Sequence, residues 1–306
     1  MEQISEIHHI SAIVGNIEEN YSFYHEILKL KLVKQTVNYD DPSQYHLYFA
    51  NQMVEKGTSI TFFPLENSKA GKKGSGQVGR IVFRIPSGSL NYWQERLLSF
   101  HIPLSKEILL DRPALFFQDY HALELALVEV KQTSETDDIL GFDGAYLLSH
   151  DFEGSKLFLT EMMGLLLLEN QEKLYILETN GTQKQKIYLP KTNFSRGNMG
   201  PGTVHHIAWQ VSDLESLKHV KTILEKAKLN VTNIRDRTYF QSIYFRETGK
   251  VIFELATEGP GFIVDESWDH LGKQLQLPKQ LEKKRQEIMS RLAPFKLGKG
   301  ESNAIT

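Results

Sequence analysis

The sequence predicts an α+β protein built from four copies of one unit, arranged in two domains, and three observations carry that reading. A strand, an amphipathic helix and then further strands recur four times along the chain, weakly but in order. A polar stretch rich in turn formers, Lys131 to Gly141, separates the second copy from the third. Two histidine pairs, His8-His9 in IHHISAIVG and His205-His206 in VHHIAWQVS, each open a short hydrophobic strand, one in the first copy and one in the fourth.

The first copy starts at Ile7 and turns at Gly15-Asn16 into a helix whose apolar face carries Tyr21, Tyr24, Ile27 and Leu28, with Phe23 beside it. Asn16 followed by Glu19 predicts a capping box at its start. The second runs from Val78 through GRIVFRIP, a helix around Leu90 to Leu98, and strands ending in ALELALVEV. The third opens at Phe142 with FDGAYLLS, followed by a helix to about Met163 that Gly164 stops. The fourth opens at Val204; Ser212 with Glu215 predicts a second capping box before a helix through Lys228, and the strands QSIYFRE and KVIFELAT flank the turn Thr248-Gly249. Beyond Phe262 the segment WDHLGKQLQLPKQLEKKRQEIMSRL reads as a charged terminal helix whose lysines form a solvated face. The division expected is residues 1–135 for the first pair of units, 142–264 for the second pair and 265–306 for a helical tail.

Composition excludes several functions. A chain of 306 residues, 41% hydrophobic, is long enough for two domains with substantial cores. A net charge of -3 offers no electrostatic reason to expect nucleic acid or an anionic membrane as partner. With no cysteine, disulfides, thiolate chemistry and thiolate metal ligands are ruled out. No signal peptide or apolar run of membrane length is read, which makes the cytoplasm the default compartment. No G-x-S-x-G occurs to support Ser-His-Asp hydrolysis. AGKKGSGQVG lacks the G-K-[ST] ending of a phosphate loop and is expected to be a surface loop.

Strand parity selects the candidate ligands, because successive side chains on a strand face opposite sides. His9 shares a face with Ser11, whereas His8 shares one with Ile10, Ala12 and Val14. His206 aligns with Ala208 and Gln210, and His205 with Ile207, Trp209 and Val211. Glu254 lies with Ile252 and Ala256, while Val251, Phe253 and Leu255 take the other side. His9, His206 and Glu254 thus occupy the less apolar faces and form a candidate 2-His-1-carboxylate set, which leaves positions open for a substrate and oxygen on a non-heme Fe(II). Against this stands the reading of each histidine as a hydrogen-bonded core residue. His46 in YHLYFA and His121 in QDYHALEL are spare candidates, better read as ordinary hydrogen-bonded histidines.

Superposing the copies by pattern places Arg80 where the fourth has His206, and Glu124 where it has Glu254, which predicts an Arg80–Glu124 ion pair in place of a metal site. Gly144 falls where the first copy has His9. A metal must then be shared between the first and fourth copies, and the outer modules must pack together with the inner two forming a metal-free half.

The segments IHHISAI, VKQTVNYDDPSQYHLYFA, AGKKGSGQVG, GTVHHIAW, RDRTYFQSIYFRETG and FELATEGPGF together resemble the vicinal oxygen chelate superfamily, and within it the ring-cleaving dioxygenases that open hydroquinones. The resemblance runs from about Ile7 to Phe262, and RDRxYFxSIYFR is its more discriminating part. It implies βαβββ modules with cupped mixed sheets around a metal site, Fe(II) as metal (Mn, Zn or Ni as isolated), and His9, His206 and Glu254 as ligands. It further implies catalytic roles for His8, His205, Arg237 and Tyr244. Perfect alternation turns His8 and His205 away from the metal, so either a bulge or strand twist brings them to the pocket edge or they are packing residues. Arg237 and Tyr244 are implied to be pocket residues that hold a phenolate or move a proton, against a surface pair of Arg237 with a neighbouring carboxylate such as Asp236 and an ordinary strand aromatic for Tyr244. Ser11, on the face of His9, is expected to line the substrate space, against a small polar strand residue. The partners expected are a small aromatic, hydroquinone-like or catechol, and O2, with homo-oligomer formation left open. Two other functions fit the same fold, a glyoxalase-type metal isomerase or lyase and a noncatalytic small-molecule binding protein. The isomerase commonly needs a fourth protein ligand, which the sequence does not identify.

Overall fold

A computed structural model describes residue 4 and residues 6–297. Four βαβββ units follow one another. The first comprises β1 (Ile7–Val14), a helix α1 that is α-helical over Ile17–Tyr21 and π-helical over Ser22–Ile27, then β2 (Lys31–Asn38), β3 (Asp41–Ala50) and β4 (Ser59–Pro64). The second has β5 (Gln77–Ile85), α2 (Leu90–Ser99), β6 (Leu104–Leu109), β7 (Arg112–Gln118) and β8 (Glu124–Glu129). The third has β9 (Gly141–Leu148), α3 (Phe152–Leu157, continued as a π-turn over Phe158–Met162), β10 (Leu166–Asn170), β11 (Leu174–Glu178) and β12 (Lys186–Pro190). The fourth has β13 (Thr203–Val211), α4 (Leu214–Lys226), β14 (Arg235–Asp236), β15 (Gln241–Arg246) and β16 (Ile252–Thr257).

The strands pair into two eight-stranded mixed sheets that do not follow chain order. One runs β14-β15-β16-β13-β1-β4-β3-β2 and joins the fourth unit to the first; the other runs β10-β11-β12-β9-β5-β8-β7-β6 and joins the third to the second. The outer units therefore share a sheet, as the placement of the histidine pairs requires, and the 131–141 segment passes from β8 to β9 within the other sheet. Helices cover the convex faces. One continuous core runs through both halves and buries Phe62, Trp93, Phe83, Phe142, Trp209 and Phe253 completely. Each such side chain contributes about 2 kcal/mol or more by leaving water.

Local signals act as read, with two shifts. Asn16 caps α1 by accepting from Glu19 N, and Gly164 ends the third helix at φ 76. The cap of α4 is Asp213, whose carboxylate accepts from Ser216 N, not Ser212; the hydroxyl of Ser212 meets that of Ser216 instead. Asp outcompetes the serine before it because its charge also complements the helix dipole. The single terminal helix expected beyond Phe262 is not formed. Regular α-helix there is confined to α5 (Arg285–Arg291), because Gly272 adopts φ 74 and Pro278 cannot donate into a helix. This segment instead packs on β2, where Lys34, with no exposed side-chain surface, lies 2.6 Å from Asp265 and also pairs with Glu266.

The two concave faces differ. In the inner sheet the space is filled: Tyr146 stacks on Tyr188 at 4.7 Å, and Arg112 makes a two-pronged pair with Asp143 at 2.6 and 2.9 Å. Gly144 sits where a Cβ would lie 1.9 Å from the Lys186 carbonyl oxygen, so no side chain fits opposite the His9 position. Arg80 and Glu124 pair at 3.6 Å, with Lys73 on the same carboxylate. Their alignment with the outer sheet is offset by one pleat, however. Ile81 pairs with Leu125 and Ile207 with Phe253, so Ala126 is the counterpart of Glu254, and Glu124 that of Ile252.

Candidate metal centre

The outer sheet's concave face holds a cavity of about 540 Å³. At its base β1 and β13 pair antiparallel, and β16 runs parallel to β13 with Glu254 opposite Ala208. His9 pairs with Ala208 and Ser11 with His206, which sets both imidazoles beside the carboxylate. His9 Nε2 is 3.1 Å and His206 Nε2 2.8 Å from Glu254 Oε2, and the two nitrogens are 3.3 Å apart. All three residues are buried, and theirs is the one group of three or more such residues close enough to share an ion among the described residues.

The donor set fits a metal. Donor atoms bound at roughly 2.1 Å and at right angles are roughly 3.0 Å apart, whereas a tetrahedral arrangement separates them by roughly 3.4 Å. The three edges, 2.8–3.3 Å, lie in the range that donors sharing one ion would take. No hydrogen bond of good geometry reaches either Glu254 oxygen among the described residues, although the side chain is fully buried and both imidazoles lie within 3.1 Å of Oε2. A carboxylate buried in this way is costly unless a cation meets it. Burial drives His206 toward its neutral form, and the two imidazoles hold Glu254 well below the usual carboxylate range against the opposing effect of burial.

The neighbouring histidines depart from strict alternation because each pair straddles a β-bulge. Between Ile7/Trp209 and His9/Ala208, β1 advances two residues while β13 advances one, so His8 is the extra residue. Between Ser11/His206 and Ala12/Val204 the extra residue is His205. A bulge brings adjacent side chains toward one side. His8 Nδ1 accordingly lies 2.8 Å from His9 Nδ1, and His205 Nδ1 2.7 Å from His206 Nδ1. His205 lines the cavity; His8 stands behind His9, against Phe240, and does not line it. Burial lowers both His8 and His205 to about 3, so each is a neutral imidazole.

Tyr244 pairs directly with Glu254 across β15 and β16, and its ring meets that of His206 edge-on at 5.5 Å. Burial and the nearby Glu254 push its phenol up, so it stays protonated. Arg237 lies 5.4 Å from the Tyr244 ring centre and reaches Asp40 at 3.2 Å; it does not pair with Asp236. Arg235 grips the same Asp40 with both contacts at 2.8 Å, and Tyr39 Oη donates to Thr238 at 2.9 Å, so the first and fourth units are tied across the mouth.

Ser11 shares the face of His9 but does not line the cavity. Its hydroxyl, fully buried, is 2.7 Å from Thr61 Oγ1. The cavity wall is instead built in part by His46, which the sequence offers as a spare candidate better read as a hydrogen-bonded histidine, and by Tyr48, Phe63 and Phe240, to which the sequence reading assigns no role. Gln44, His46 and Tyr48 alternate along β3, a period-two signal that was legible in the sequence.

Two cupped sheets of βαβββ units enclosing a two-histidine, one-carboxylate centre define the vicinal oxygen chelate class. The profile of the Glyoxalase/Bleomycin resistance protein/Dioxygenase superfamily matches residues 6–108. Over 301 residues the chain is 40% identical to MhqO of Bacillus subtilis (strain 168), named as a ring-cleaving dioxygenase, covering 95% of this chain and 96% of that one. It is 28% identical over 315 residues to a chlorohydroquinone/hydroquinone 1,2-dioxygenase of Sphingobium indicum, covering 94% and 96%. A crystal structure described as a dioxygenase from Bacillus subtilis superposes with a TM-score of 0.93 at 40% identity, over 97% of this chain and 99% of that one. The chain belongs to the glyoxalase/bleomycin resistance protein/dioxygenase superfamily and, within it, to the family of MhqO.

Proposed function

We propose that the protein is a non-heme Fe(II) dioxygenase that cleaves the ring of hydroquinone-like aromatics. The observation that carries this reading is the triangle of His9, His206 and Glu254, with edges of 2.8–3.3 Å, at the base of a cavity walled by Phe63, Tyr48, Phe240 and Tyr244. The names carried by MhqO and the Sphingobium enzyme support it. Fe(II) held by these three side chains supplies a common point at which an aromatic oxygen and O2 meet.

The chain's own groups prepare the substrate. With Nε2 of His9 and His206 committed to the metal, each Nδ1–H donates to the Nδ1 of its neighbouring histidine, which fixes the ligand tautomers. His205 then carries its proton on Nε2 and offers it at the cavity wall, while His8 serves as a positioning residue behind His9. Arg237, charged and largely enclosed, favours the ionised form of a phenol. Tyr244, held protonated, donates to an oxygen that gains charge. The aromatic walls exclude water from the ring. Three candidate ligands come together among the described residues, where an isomerase of this fold commonly uses four, and this supports the dioxygenase reading.

The test is oxygen uptake by protein loaded anaerobically with Fe(II) and given hydroquinone, methylhydroquinone or catechol. Iron-dependent uptake, absent in His206→Ala, is expected. Tight iron binding without uptake on any of the three would overturn the assignment.

A further inference from the structure

One side chain of the cavity wall, His46, and two buried hydroxyls behind it leave one hydrogen bond unassigned. His46 packs against Phe63 with ring centres 4.1 Å apart and planes at 27°, and against Tyr48 at 4.2 Å, so its ring plane is held. Its Nε2 lies 2.8 Å from Thr61 Oγ1, which lies 2.7 Å from Ser11 Oγ. Both hydroxyls are fully buried and neither has another hydrogen bond among the described residues.

Two proton arrangements fit these distances. In the first, His46 Nε2–H donates to Thr61 and Thr61 donates to Ser11, which leaves the Ser11 proton without an acceptor in a dry interior. In the second, Ser11 donates to Thr61 and Thr61 donates to His46 Nε2. Every hydroxyl proton is then used, and the ring proton resides on Nδ1. A buried donor left unmade is the costlier outcome, which selects the second. Nδ1 has no protein acceptor among the described residues, and His46 lines the cavity.

We propose that the Ser11–Thr61 pair fixes His46 as its Nδ1–H tautomer, and that this N–H reads the second oxygen of a dihydroxylated ring. The identity of the ligand rests on the proposed function; the tautomer does not. Burial, aided by the nearby His9, His206 and Arg237, holds His46 well below the ordinary imidazole range, so it remains a neutral donor. A ring lacking the second oxygen leaves that donor unpaired, and sites built around a buried donor discriminate strongly against such analogues.

Long-range proton–nitrogen correlation spectra of the metal-free, nitrogen-15-histidine-labelled protein test the tautomer, with His46→Gln assigning the signal. The Nδ1–H pattern is expected in the wild type, and Thr61→Val should shift it toward the other tautomer. Anaerobic titration of the Fe(II)-loaded protein with hydroquinone and with phenol tests recognition: the affinity ratio should fall about tenfold or more in His46→Gln. An Nε2–H pattern in the wild type, or an unchanged ratio in His46→Gln, would overturn the inference. The spectra require no iron, so failure to bind iron would count against the proposed function alone.

Discussion

Glu254 is the most exacting residue of the chain. A carboxylate with no exposed surface is stable in place only beside positive charge, and burial drives one of the imidazoles facing it, that of His206, toward neutrality. A divalent cation resolves that conflict. His9→Ala, His206→Ala and Glu254→Ala are each expected to reduce iron affinity by about 100-fold or more, measured as metal retained after anaerobic loading and desalting. His8→Ala, which removes the partner of His9 Nδ1 and not a ligand, should cost about 10- to 100-fold. Equal retention in His8→Ala and wild type would show that the 2.8 Å contact between the pair orients nothing. Parity alone put these three candidates on the same kind of face, because a metal needs side chains on one face and strands declare their faces every second residue. It could not place His8 and His205, since a bulge is a pairing event between two strands and neither strand's own sequence announces it. Ser11 shows the same limit from the other side: its face was legible, but its capture by Thr61 depends on the register of β1 with β4.

At the scale of elements, the inner sheet shows what keeps a half-barrel closed. Asp143 is the extra residue of a bulge in β9 and is buried against Arg112 and Tyr188. Burial would raise its carboxyl, but Arg112 outweighs burial and holds it below the ordinary value of 3.8. A depressed folded value means that its stabilisation is fully present above about pH 4 and is lost as the pH falls through the folded value. Denaturant melts between pH 7 and pH 2.5 should therefore show Asp143→Asn less stable at pH 7 by about 2 kcal/mol, allowing for Arg112's partial exposure, with the gap closing in acid. A gap that stays constant with pH would remove the pair from the acid response. Gly144→Ala is expected to lower stability by about 3 kcal/mol, since its Cβ would meet the Lys186 carbonyl oxygen of the adjacent strand. The sequence superposition found this glycine, and it also found the Arg80–Glu124 pair. It misplaced Glu124 by one pleat because a two-residue slip preserves parity and is invisible to it.

For the whole molecule, no helix of the described residues is long and apolar enough to cross a membrane. The repeat was readable because the first, third and fourth units carry cap or stop signals of their own, while the terminal segment was misread because its helical composition is interrupted by residues whose effect is conformational. That segment belongs to the outer sheet. Lys34 is enclosed on β2 and its counter-charges Asp265 and Glu266 lie beyond the last module. Removal of everything after Val264 is expected to destabilise the protein by about 3 kcal/mol or more, because an enclosed ammonium is left unpaired. Lys34→Met in the truncated chain should recover a measurable part of that loss in thermal melts; no recovery would mean the segment acts through its other contacts.

The pairing of the first unit with the fourth also sets a timetable. His9 and Glu254 are 245 positions apart (254 − 9) yet meet at one point. Chains emerge from the ribosome at roughly 5–20 residues per second, so His9 is exposed for about 12 to 50 seconds before its carboxylate partner exists. Until Val211 has emerged, β1 lacks β13 as a neighbour, and its two histidines stand without the strand that carries His206. The strands of the inner sheet, by contrast, are contiguous in the chain from Gln77 to Pro190, so all of them are synthesised before β13.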